Sequence, residues 1–205
     1  MAEIDAEALR TVLRRFATGV AVVTTWDRET PWGTTVNSFS SVSLRPPLVL
    51  VAFDRGRRIV PALVRTGRYA VNILGEEQQA LSDCFAGGPP PAAQIEAQPA
   101  AAAAANAARQ GSSPTAHSGS GGRAELCGAD WRSGATGLPV LVDAIAWLEC
   151  TVVDVHAAGD HDLYVARVDA ASAPAREPLP LIYYSGRYLR IERASSHELE
   201  GKPEH

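Results

Sequence analysis

Leu9, Val12, Leu13 and Phe16 recur three and four residues apart within residues 5–17, the repeat of one helix face. Asp5 stands at an N-cap position and Arg14 and Arg15 lie toward the negative end of the dipole, so a helix is predicted, broken at Gly19. The pattern then changes. Residues 20–26 are a continuous, mostly β-branched run and read as a strand; residues 27–31 turn, and residues 32–37 return as its antiparallel partner. Next, hydroxyl-bearing residues crowd the chain from Thr34 to Ser43 until the diproline Pro46-Pro47. Residues 48–53 are apolar and read as a buried strand, closed by the basic turn Asp54-Arg55-Gly56-Arg57-Arg58.

A short helix is predicted over residues 59–66, with Pro61 in its first turn and Gly67 ending it. A strand over 68–74 and a helix over 76–85 follow, the latter with Leu81 and Phe85 one turn apart. Residues 87–123 hold a triproline, an alanine run and a Gly/Ser tract. They lack the apolar residues needed to offset ordering entropy and are expected to form an excursion from the fold. Order resumes near Asp130-Trp131. Long strands are predicted over 145–156 and 161–170 around a Gly159-Asp160 turn, and short ones over 181–184 and 188–191. Hairpins joined by short helices, with no βαβ alternation, point to an antiparallel β-barrel trimmed by helices. The expected organisation is one domain over residues 1–191, interrupted at 87–123, with a polar tail at 192–205.

Bulk properties narrow the function mainly by exclusion. A net charge of −4 over 205 residues gives no basis for nucleic-acid or anionic-membrane binding. The opening Met1-Ala2-Glu3-Ile4-Asp5 is acidic and has no apolar h-region, so no signal peptide is expected, and no apolar run approaches a membrane span. Cys84, Cys127 and Cys150 form no CxxC pair; no disulfide framework is expected, and a reducing cytoplasm is the matching compartment. Cys84 reads as inert, and no metal site is expected from these cysteines. The hydroxyl-rich stretch beside a basic turn suits a polar ring system carrying a phosphate: hydroxyls and backbone N–H groups bond its oxygens while arginines neutralise charge. An ordinary polar loop is the plainer alternative.

The ordered motifs Phe16-Ala17-Thr18-Gly19-Val20, residues 37–50 from Asn37-Ser38-Phe39 to Leu48-Val49-Leu50, Gly67-Arg68-Tyr69-Ala70-Val71-Asn72, Asp130-Trp131, Gly159-Asp160-His161 and residues 183–188 carry a resemblance. Together they resemble the short-chain NAD(P)H:flavin reductases, whose FMN-binding split-barrel members supply reduced flavin to a partner monooxygenase or halogenase. The resemblance implies a six-stranded antiparallel split β-barrel with peripheral helices, forming a homodimer. It implies FMN or FAD as flavin and NADH or NADPH as hydride donor. Cofactor contacts are then expected from Thr34, Thr35, Val36, Asn37, Ser38, Ser41, Ala52, Phe53, Asp54, Arg57, Arg58 and Phe85, with filling of the helix–barrel gap as an equal reading of Phe85. Nicotinamide contacts are expected from His161, Tyr183, Tyr184, Ser185 and Gly186, and His161 is the catalytic candidate.

Two departures stand out. Arg57-Arg58-Ile59 replaces a Ser-x-Thr/Ser phosphate pattern, and Tyr184-Ser185-Gly186 replaces Tyr-Arg-Gly. No acid–base dyad is visible. Hydride transfer asks for two stacked rings rather than a strong side-chain acid or base, so this agrees with the resemblance. The alternatives are a flavin- or haem-binding carrier or sensor on the same barrel, and an oxidase of the pyridoxamine-phosphate type.

Overall fold

The computed structural model describes residues 4–88, 127–175 and 178–192. The predicted excursion, apart from its first two residues, and the tail beyond Glu192 lie outside the described residues. Asp5 caps the first helix through its carboxylate, which accepts the Glu7 N–H at 3.3 Å, and α1 runs Ala6–Leu13. The elements that follow are β1 (Thr18–Gly19), β2 (Ala21–Asp27), β3 (Thr30–Val36), β4 (Ser40–Leu44), β5 (Pro47–Asp54), α2 (Val60–Thr66) and β6 (Arg68–Ile73). A 3-10 turn (Glu76–Gln78) then runs into α3 (Gln79–Phe85). After the excursion come β7 (Trp131–Ser133), β8 (Pro139–Leu141), β9 (Ala146–Ala158), β10 (His161–Ser172), β11 (Ile182–Tyr184) and β12 (Arg187–Leu189).

Seven strands pair antiparallel in the order β3-β2-β6-β9-β10-β5-β4, flanked by a β1-β11-β12 sheet and a β7-β8 hairpin. The fold is mainly β with a few helices. Its strand count exceeds the six expected, because Ser40–Leu44, inside the hydroxyl-rich stretch, is itself a strand on β5 (Ser40 opposite Leu50, Leu44 opposite Pro47). None of its residues is fully buried, so it lacks the apolar alternation that marks a strand in sequence. Among the described residues the edge strands β3 and β4 exchange no ladder with each other.

Apolar residues are continuous in β2 and β6 because both faces of the sheet are covered there. One face holds Ala21, Val23, Val36, Val51, Phe53, Ile59, Leu63, Tyr69, Val71 and Tyr164; Phe53 meets Tyr69 and Tyr164 edge-on at 6.4 and 5.3 Å. Val20, Val22, Leu74, Phe85, Leu141 and Leu181 pack on the other. Farther along that second face, Trp26 meets Trp131 edge-on at 5.3 Å and donates its indole N–H to the Gly137 carbonyl at 2.8 Å.

Two buried polar groups pin the β7–β8 hairpin down. Asn72 donates to the Val22 carbonyl and Thr24 Oγ1, both at 3.0 Å, and accepts the Leu141 N–H at 2.8 Å. The Glu149 carboxylate accepts the Thr136 and Leu138 N–H groups at 3.0 Å and the Thr136 hydroxyl at 2.7 Å. A buried carboxylate is tolerated when its lone pairs are filled in this way.

The cysteine expectation is overturned. Cys84 on α3 and Cys127 form a disulfide with Cα atoms 6.0 Å apart, while Cys150 is free and buried. A sequence separation of 43 concealed the pair, since only the packing of α3 beside residue 127 brings them together. Cys84 is therefore structural rather than inert, and the cysteines no longer argue for a reducing compartment. Among the described residues no helix is long and apolar enough to cross a membrane.

Candidate functional site

Asn37, Ser38 and Phe39 carry the chain from β3 to β4. Ser38 locks this connection onto β5: its hydroxyl donates to the Ala52 carbonyl at 2.8 Å and accepts the Ala52 N–H at 3.2 Å. At the end of β5, Asp54 accepts the Gly56 N–H on its side chain (2.7 Å) and the Arg57 N–H on its carbonyl (3.0 Å). That self-bonded turn leaves Arg57 and Arg58 exposed to solvent.

The ladder between β5 and β10 sets His161 opposite Asp54, so the basic turn and the Gly159-Asp160-His161 turn lie side by side. Arg55 stitches them. Its N–H reaches the Asp160 carbonyl at 3.3 Å, and its guanidinium bonds the Asp162 carboxylate at 2.8 Å and the His161 carbonyl at 3.4 Å. Arg55 is thereby occupied, whereas among the described residues Arg57 and Arg58 enter no ion pair. His161 Nδ1 lies 2.6 Å from Asp160 Oδ1, so Nε2 is the ring nitrogen that Asp160 does not engage. This hydrogen bond and the charge of His161 hold the Asp160 carboxyl below the usual carboxylate range.

The expected cofactor residues divide by what they present. Thr34, Val36 and Phe53 are buried. Asn37, Ser41, Asp54, Arg57 and Arg58 are exposed, and Ala52 is half-buried with its peptide held by Ser38. Thr35 donates to the Ser82 carbonyl of α3 at 2.7 Å. Phe85 is buried with its ring edge over Gly33, where a Cβ would stand 2.5 Å from Cε1; it occupies the gap between helix and sheet.

Tyr183 and Tyr184 lie on β11, and the Ser185-Gly186 turn has φ of 52° and 79°, the doubly left-handed geometry of a two-residue hairpin. Its tip is tied down: the Ser185 N–H donates to the Arg14 carbonyl, just past α1, at 2.9 Å. Its base enters the core, with Tyr183 edge-on to Tyr188 at 5.3 Å. Tyr183 pairs with Thr18 on β1, which leads into β2, and β2 opens with Ala21 opposite Val36. The hairpin therefore joins the sheet where β3 runs into Asn37 and Ser38. Sequence reasoning missed Ser82, Tyr188 and the Arg55–Asp162 pair. A polar residue three positions before Phe85 on an amphipathic helix is the only local sign of Ser82.

A profile of the flavin reductase-like domain matches residues 13–192. The chain belongs to the flavin reductase-like family. It is 32% identical over 192 residues to the flavin-dependent monooxygenase reductase subunit HsaB of Mycobacterium tuberculosis, covering 93% of this chain and 85% of that one. With the NADH-dependent flavin reductase StyB of Pseudomonas fluorescens it shares 34% identity over 193 residues, covering 91% and 90% of the two chains. The solved flavin reductase PheA2 superposes with a TM-score of 0.70 at 31% identity, over 93% of this chain and all of that one. The turn at Asp54–Arg58 and the turn at Asp160–His161 lie side by side at one end of the sheet.

Proposed function

We propose that this protein is an NADH-dependent flavin reductase, accepting FMN or FAD and supplying the reduced flavin to a separate monooxygenase or halogenase. The carrying observation is the meeting of the Ser38–Ala52 lock, the Arg57-Arg58 turn and the Asp160–His161 turn at one end of the sheet. The donor set suits a phosphate-bearing ring: main-chain groups around the exposed Asn37 and neighbouring Ser38 would meet the ring edge, and the exposed Arg57 and Arg58 the phosphate. Arg57 takes over from the missing hydroxyl with a charge-assisted hydrogen bond. Flavin, when bound, supplies the two-electron acceptor. The chain's task is to hold two rings in register and keep one side open. Main-chain N–H groups near Asn37 and Ser38 favour negative charge developing on the ring edge, and His161 Nε2 together with Tyr183, Tyr184, Ser185 and Gly186 orients the nicotinamide nucleotide.

The seven-strand sheet serves as the split barrel, with the Ser38–Ala52 contact drawing the end of β3 toward β5. A homodimer is supported by exposed apolar residues: Leu9, Val12 and Leu13 on α1, Phe16 just beyond it (76% exposed), and Val42 and Leu44 on the edge strand β4. Patches of this kind mark interaction surfaces. Purified protein mixed with FMN or FAD should oxidise NADH, followed by nicotinamide absorbance and, anaerobically, by flavin bleaching. A rate no higher than that of free flavin, with both NADH and NADPH, overturns the proposal.

A further inference from the structure

Three contacts converge on Ser82, a fully buried residue in the middle of α3. Its carbonyl accepts the Thr35 hydroxyl of β3 at 2.7 Å while also closing the helix with the Ala86 N–H at 3.0 Å. Its hydroxyl lies 2.9 Å from the Tyr188 hydroxyl on β12. One turn on, Phe85 seats α3 against Gly33, and Cys84 ties the same helix to Cys127. Tyr188 in turn stacks edge-on against Tyr183 and pairs with it across the β11–β12 ladder. A buried serine inside a helix is worse than alanine unless its hydroxyl is used, and here the use is a single contact with the C-terminal hairpin.

We propose that Ser82 and Tyr188 form a positioning pair that fixes the β11–β12 hairpin relative to β3, and so sets how NADH sits over the flavin strand. This rests on the reading that Tyr183 to Gly186 contact the nicotinamide nucleotide. The two arms of Ser82 are chemically separable. The carbonyl serves Thr35 and survives any side-chain change, whereas the hydroxyl serves only the hairpin. Removing the hydroxyl therefore loosens one substrate's platform and leaves the other in place.

The experiment compares Ser82→Ala, Tyr188→Phe, the double variant and Ser82→Thr in the full chain. It reads KM for NADH, KM for flavin, kcat and Tm. Ser82→Ala should raise KM for NADH about fivefold, close to 1 kcal/mol at 1.4 kcal/mol per tenfold. KM for flavin, and kcat at saturating NADH, should stay within about twofold, the spread allowed for a contact made equally in ground and transition states. Tyr188→Phe should do at least as much, the double variant should match Tyr188→Phe alone, and Ser82→Thr should restore the wild-type value. The proposal is overturned if variants with wild-type Tm leave KM for NADH unchanged, or if the two effects simply add. It is also overturned if kcat and both KM values move together with Tm, as a purely structural role would have it. Wild-type protein that oxidises no NADH overturns the parent reading, and this with it, before any variant is compared.

Discussion

Phe85 is the residue whose two readings lead to opposite results. Phe85 is 6% exposed, and a methyl group built on Gly33 would stand 2.5 Å from its Cε1 and 2.9 Å from its Cδ1. Carbon–carbon contacts settle near 3.5–4.0 Å, so the ring must shift by about 1 Å inside a packed cluster of Val20, Val22 and Leu141. Gly33→Ala is therefore expected to cost about 1–3 kcal/mol by overpacking. Phe85→Ala should cost about 3–5 kcal/mol through lost burial and the cavity left behind. In the double variant the methyl enters vacated space, so Gly33→Ala should cost roughly nothing there, or gain a few tenths of a kcal/mol from strand entropy. Urea unfolding of the four proteins reads the cycle directly. Additivity within about 0.5 kcal/mol would refute the packing argument, because independent sites behave in that way. Phe85→Leu provides the functional arm. A gap-filling ring predicts an unchanged KM for flavin, and a large rise in that KM at preserved stability would instead make Phe85 a cofactor contact.

Three further outcomes follow from the cysteines. The chain has three, and with Cys84–Cys127 closed the denatured protein should titrate one thiol, rising to three after reduction; three thiols without reductant would remove the disulfide from the account. Replacing both bridge partners with serine should lower stability by roughly 2–4 kcal/mol in urea unfolding. Burial first, then the carboxylates of Asp169 and Glu149, push the Cys150 thiol from its ordinary value near 9 up to about 12. The unfolded chain therefore ionises before the folded one. The thiol's contribution is complete below pH 9 and is lost as pH rises toward 12, so Cys150→Ala should flatten the alkaline fall of the urea midpoint; an identical slope in both proteins would contradict this.

Sequence by itself determined the local elements and the order of chemistry along the chain. The spacing of Leu9, Val12 and Leu13, the β-branched run before Trp26, and Gly67 at a helix end (φ 60°) all report local backbone preference and fall in the expected elements, although α1 stops at Leu13, short of Phe16. The motif order likewise led to the flavin reductase-like family before any contact was visible. Only the tertiary structure decided what touches what. Ser40–Leu44 became a strand because β5 offered it a ladder, not because its own residues alternate in polarity. Cys84 met Cys127, Arg55 met Asp162, and Ser82 met Tyr188 across 43, 107 and 106 residues. Such partners are chosen by sheet register and helix packing, which depend on the whole chain at once and leave no mark in any short window of it.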